Sequence, residues 1–171
     1  MPSRGLSDTD ALRVVSQYEP ALRRLAASYE SDPSLVEDLL QEILFAIVRA
    51  FPAWRRECSE RTFVYRVAHN RAMTHRTRRP PRGDDLDRAS RVADPSASPE
   101  EAVSARQRRD ALFAALRSLP IAQRQLLSMA LEGLVAREIA EVLGITENNV
   151  AVRLSRARAS LREALAPKET P

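Results

Sequence analysis

A lone cysteine, Cys58, leaves this chain unable to form an internal disulfide and fits a reducing compartment. Glycine occurs only four times in 171 residues, and aromatic side chains make up 5%. A β-sandwich or barrel needs strand formers and turn glycines in quantity, so both architectures are disfavoured. No apolar run approaches membrane-spanning length, and the opening residues form no apolar signal segment. Together these predict a cytoplasmic protein without membrane insertion. The two histidines, His69 and His75, stand six apart, off the helical spacing that lets two side chains share a metal. Neither reads as a ligand. With no glycine-rich loop and no clustered histidine or cysteine, the sequence offers no catalytic residue, metal site or other cofactor site.

What is present is helix-forming: Ala, Leu, Arg and Glu dominate, with 44% hydrophobic content. That is enough for one medium domain or two small ones. Net charge is only +4, but its distribution is uneven. Residues 1–60 hold seven basic and ten acidic groups, a balance of −3. Residues 61–82 then carry seven arginines and no acid, and residues 150–162 carry four arginines and no acid. An acidic front, a basic block and a basic end point to different partners on different surfaces. Of the 27 basic residues, 26 are arginine, a preference that a GC-rich genome also produces.

A first helix is expected from about Asp8 to Ser28, burying Leu12, Val15, Leu22 and Leu25. Asp32 as cap with Pro33 at the first helical position starts a second, running to about Ala50. Pro52 interrupts, and a loop through Trp54 leads to a third helix from about Arg61 to Arg78. Residues 79–98 are rich in polar groups and proline and read as a linker. Ser98, Pro99, Glu100 and Glu101 restart a helix, and three or four short helices follow to about Ala166. The expected fold is all-α: two small helical domains joined by a flexible linker, the second containing a helix-turn-helix.

Three stretches carry the functional signal. In "AREIAEVLGITENNVAVRLSRARASL", Ile139, Ala140 and Leu143 precede a break, and Ile145, Val150 and Leu154 follow it at helical spacing. Gly144 supplies the left-handed residue that ends one helix, and Thr146 caps the next. This is helix-turn-helix spacing, in which the second helix enters a DNA major groove. An ordinary helical hairpin with solvated arginines has the same pattern. On the second helix, Asp38, Gln41 and Glu42 form a polar cluster on an otherwise apolar cylinder. A solvated acidic face is the plain interpretation, and paired carboxylates without other catalytic groups do not make an active site. The third helix interleaves arginines with Phe63 and Tyr65, a composition suited to exposed bases and phosphates, though Phe63 and Val67 also suit a core.

Taken together, "SLVEDLLQEILFAIVRAFPAW", "ERTFVYRVAHNRAMTHRTRR" and the segment from Leu116 to Leu165 resemble a bacterial extracytoplasmic function (ECF) sigma factor of RNA polymerase. The resemblance covers about residues 10–78 and 106–165. It implies region 2 in residues 1–78, a linker in 79–105, and region 4 in 106–171. It further implies that Asp38, Gln41 and Glu42 contact core polymerase, at the β′ clamp helices, alongside other β/β′ surfaces. Trp54, Arg61, Arg66, Asn70 and Arg71 would hold the melted minus-ten strand. Asn148, Asn149, Arg153 and Arg156 would read the minus-thirty-five duplex, with Thr146 at a phosphate. Promoter DNA and an anti-sigma factor are the other implied partners. The chain departs from the family's habit at Val48 and Phe63, where Trp is frequent. It also departs at Arg56 and Glu60, where Gly and Phe are common, and at Ala151, where basic residues are common. A helix-turn-helix regulator that never joins polymerase is the rival from another class, and a sigma mimic that binds no DNA is a third. The first lacks the "EDLLQE" and arginine–aromatic helices; the second lacks a basic final helix.

Overall fold

The computed structural model describes residues 8–78 and 99–166. Among these, all regular structure is helical: α1 (Asp8–Tyr29), α2 (Pro33–Ala50), a short 3₁₀ turn (Phe51–Ala53), α3 (Glu60–Arg78), α4 (Pro99–Ser118), α5 (Ile121–Leu131), α6 (Ala136–Leu143) and α7 (Glu147–Leu165). No helix among the described residues is long and apolar enough to cross a membrane. Residues 79–98, the larger part of the expected linker, lie outside the described residues. Residues 99–105, which the reading counted as linker, are the opening turns of α4. That helix has 20 residues, longer than the short elements expected there.

Local chemistry sets the helix ends. Asp32 Oδ1 accepts from the Ser34 N–H at 2.8 Å, and Pro33 opens α2. Ser59 Oγ accepts from the Thr62 N–H at 3.0 Å at the start of α3. From α2, Val36, Leu39, Leu40, Ile43 and Ile47 are buried against α1 and α3. Each such side chain stabilises the fold by about 1.5–3 kcal/mol. The buried stripe of α1 runs through Ala11, Val14, Leu22, Leu25 and Ala26. Leu12, expected inside, is 62% exposed. It sits one position beyond Ala11, and one residue turns about 100° round the helix. Small alanines, not the larger leucine, let α1 lie close to its neighbours.

In the second half, Arg124 on α5 is among the most completely buried side chains. Its guanidinium donates to the carbonyls of Leu116, Arg117 and Leu119, satisfying the open end of α4. Burial lowers its pKa to about 10, so it stays charged at neutral pH.

The two halves share one contiguous apolar cluster. Across the seam, Ser128 Oγ meets Ser28 Oγ at 3.1 Å, and Arg117 donates to the Ala27 carbonyl at 2.8 Å. The Arg124 guanidinium lies 5.9 Å from the Tyr29 ring centre.

Beneath α1, the fully buried His69 pairs through Nδ1 with the Tyr29 hydroxyl at 3.0 Å. Burial lowers the imidazole pKa to about 4 and raises that of Tyr29. The unfolded chain takes up a proton on His69 near pH 6.5, well before the native protein does. Stability is therefore held above that pH and lost between about 6.5 and 4, by roughly 3 kcal/mol from this residue. Melts across that range should show the decline, and His69→Gln should flatten it; an unchanged slope would mean that His69 is not the group responsible.

Candidate functional site

The polar cluster on α2 divides. Asp38 and Gln41 are exposed, whereas Glu42 is half-buried and turned toward α3. Its carboxylate lies 3.0 Å from Arg71 Nε and 3.3 Å from His75 Nδ1. His75 is itself buried, with Glu30 at 3.3 Å on its other nitrogen. Thus two of the expected contact residues from different surfaces, Glu42 and Arg71, meet each other. Helical spacing continues the outward face from Asp38 and Gln41 to Phe45 and Arg49. Phe45 is 62% exposed, and the Arg49 guanidinium sits 5.7 Å from its ring centre. A large exposed aromatic rimmed by polar groups marks an interaction surface. In the sequence Phe45 is hidden because it completes an apparently all-round apolar helix; its four-residue offsets from Gln41 and Arg49 were the available signal.

A second surface surrounds the loop before α3. Trp54 is half-buried, stacked on Phe63 with ring centres 5.3 Å apart, and 5.5 Å from Phe51. Beside it lies an open pocket of about 410 Å³, lined by Phe51, Trp54, Arg56, Cys58, Glu60 and Arg13, among others. Arg56 has φ 60, the left-handed region where a side chain is strained and glycine is not. Glu60 is paired with Arg13 at 2.6 Å, so its charge is balanced from α1. The lining combines the Phe51 and Trp54 rings with Arg13 and Arg56 and with the acids Asp10 and Glu60; aromatic rings with guanidiniums are the groups that hold a flat unstacked base.

None of the α3 arginines lines this pocket. The Arg61 guanidinium donates to the Glu132 carbonyl and lies 3.9 Å from the Glu138 carboxylate. Arg66 donates to the Glu141 carbonyl at 3.1 Å. Asn70 is exposed. The structure thus brings Arg61 and Arg66 against α5 and α6, and separates them from Arg71.

The third surface is the outer face of α7. Gly144 takes φ 67 and closes α6, and the Ile145 N–H returns to the Ala140 carbonyl at 3.1 Å. Thr146 Oγ1 then accepts from the Asn149 N–H at 3.2 Å and starts α7. Val150, Leu154 and Ala157 are buried inward, while Asn148, Asn149, Ala151, Arg153 and Arg156 are exposed. Val152 is exposed among them. An amide, an apolar methyl and two guanidiniums on one helix face match the groups displayed in a major groove.

The family models described as "Sigma-70 region 2" and "Sigma-70, region 4" match residues 14–80 and 109–161. A probable RNA polymerase sigma factor, RfaY, of Xanthomonas campestris pv. campestris is 30% identical over 160 residues. That alignment covers 90% of this chain but 40% of the relative, so the chain spans less than half its length. The ECF RNA polymerase sigma-E factor of Haemophilus influenzae is 28% identical over 165 residues, covering 90% of this chain and 86% of that protein. Among solved structures, the sigma factor RpoE in complex with the anti-sigma factor NepR from Bartonella quintana has the same fold. It superposes with a TM-score of 0.67 at 20% identity, over 94% of this chain and 97% of that one.

Proposed function

This chain belongs to the sigma-70 family, and on that premise we propose that it is an ECF sigma factor, a non-enzymatic subunit that directs core RNA polymerase to promoters and helps melt them. The observation that carries the proposal is the order of two matched segments in one chain, each with a surface suited to its task. Residues 1–78 would dock on core polymerase through Asp38, Gln41 and, at the edge, Glu42. They would hold the minus-ten strand through Trp54, Arg61, Arg66, Asn70 and Arg71. Residues 106–171 would read the minus-thirty-five duplex through Asn148, Asn149, Arg153 and Arg156, with Thr146 near a phosphate at the positive end of α7. Residues 79–98 would serve as the spacer between the two, with α4 beginning at Pro99. The work is cytoplasmic in this reading, with an anti-sigma factor as antagonist.

The direct test is reconstitution. Core polymerase with this chain should give run-off transcripts from selected promoters that core alone does not; a chain that binds duplex but never co-purifies with core would be a plain regulator. Within this scheme Arg156→Ala should weaken duplex binding without altering the melt, because the side chain is exposed. A base contact would cost about 1–3 kcal/mol at its favoured base, whereas a phosphate contact would weaken all sequences alike. Titrations against a panel of duplexes separate the two, and unchanged affinity throughout removes Arg156 from the interface.

A further inference from the structure

One exposed side chain on α7 is explained neither by packing nor by charge. Val150, Leu154 and Ala157 form the buried stripe of that helix. Val152 stands two positions from each of the first two, and two residues turn a helix about 200°. It therefore occupies the middle of the outward face, with 47% of its surface exposed. Asn148 and Arg156 lie one turn before and after it, flanked by Asn149 and Arg153, and all four are exposed. An isopropyl group thus sits at the centre of a ridge of amides and guanidiniums. Val152 takes no part in the apolar cluster of the described residues. Valine is also a poorer helix former than alanine, so local stability does not call for it either. Its branched Cβ does leave one strongly preferred rotamer in a helix, which fixes both methyls before any contact forms. The helix beneath is held as firmly, by the buried Val150 and by the Gly144 turn and Thr146 cap at its start.

We infer that Val152 is a specificity-determining residue that reads the C5 methyl of a thymine in the minus-thirty-five duplex. The inference rests on the reading of α7 as the duplex-binding helix and deepens it. In the major groove thymine alone displays an apolar group, its methyl. An isopropyl pressed against a donor or an acceptor strips it of water and returns no hydrogen bond, so other bases are disfavoured at that position. The neighbours suit adjoining bases: an asparagine amide pairs with adenine N6 and N7, a guanidinium with guanine O6 and N7. Charge draws the helix to the groove, polar contacts set its register, and Val152 discriminates without adding charge. Its loss should therefore relax sequence preference and leave the salt dependence of binding unchanged.

The test uses holoenzyme, reconstituted from core polymerase and the full chain. A duplex is first selected from a library randomised over the minus-thirty-five segment. Each thymine of that segment, on either strand, is then replaced in turn by deoxyuridine, which keeps the pairing and lacks only the methyl. With wild type, one replacement should weaken closed-complex binding about fourfold, the value of one methyl-sized group returned to water. Val152→Ala should bind the thymine duplex more weakly by a similar factor and lose nothing further on deoxyuridine at that position. Its slope of log affinity against log salt should match wild type. The substituted site is exposed and alanine favours helix, so the variant should melt no lower than wild type.

A deoxyuridine response that persists in Val152→Ala overturns the methyl contact. So does the absence of a response at every thymine, or a selected segment without thymine. The reading of α7 is judged separately, by Asn148→Ala and Arg156→Ala on the same duplex. Weaker binding by those variants, with no valine-dependent methyl response, leaves α7 as the duplex reader and removes Val152 from its contacts. Unchanged binding by all three variants removes both.

Discussion

Arginine at both Asp38 and Gln41 should abolish capture by core polymerase while the chain remains folded. Both side chains are exposed on α2, beside the exposed Phe45 and away from the apolar stripe that builds the first half. Introducing two positive charges where a carboxylate and an amide stood turns attraction into repulsion. Mismatched charges across an interface cost several kcal/mol, enough to lower affinity on the order of a hundredfold or more. Glu42 is the poorer probe, because its carboxylate also meets Arg71 and His75, and reversing it would disturb the α2–α3 packing. Pull-down with core enzyme beside a thermal melt decides the matter. Undiminished capture by a folded variant would place polymerase docking on another face. Phe45→Ala should weaken capture less, through lost apolar contact.

The second large effect concerns opening. Holoenzyme carrying Trp54→Ala with Arg61→Ala should find promoter duplex but open it poorly. A base stacked on an aromatic side chain contributes about 1–3 kcal/mol, and a phosphate contact adds to this. That energy is available only once bases have left the duplex, so its loss penalises melting and spares initial binding. A template mismatched over the minus-ten element does not require melting and should recover part of the lost transcription. Run-off transcription and permanganate footprinting on paired and mismatched templates, with gel shift for the closed complex, make the comparison. Equal failure in closed-complex binding would assign Trp54 to packing alone, in keeping with its stack on Phe63. Because that stack is internal, the variant's melt must be measured alongside.

Much of this was legible in the chain itself. The Asp32–Pro33 start of α2 and the Gly144–Thr146 break before α7 depend on neighbouring residues, and the structure bears both out. The exposed positions on α7 follow from the same periodicity that buries Val150 and Leu154. What failed was nonlocal or marginal. Leu12 lay at the margin of a stripe whose centre was set by how closely α2 approaches α1. The inward turn of Glu42 depends on His75, 33 residues away. The engagement of Arg61 and Arg66 depends on carbonyls more than 70 residues on. Arg124 escaped notice because hydropathy places every arginine outside, and only the open carbonyls of α4 draw this one in.

Arg124 also bears on how the chain can drift over generations. An arginine that supplies only a solvated positive charge can be replaced by lysine, so a shift in genomic base composition can rewrite such positions with little consequence. Three carbonyls around one planar fork set a different standard. An ammonium on a single point cannot span them, and its dehydration in that site would favour the neutral amine. Codon bias can therefore choose the cation where charge alone is needed, but at Arg124 the geometry of a helix end has already chosen.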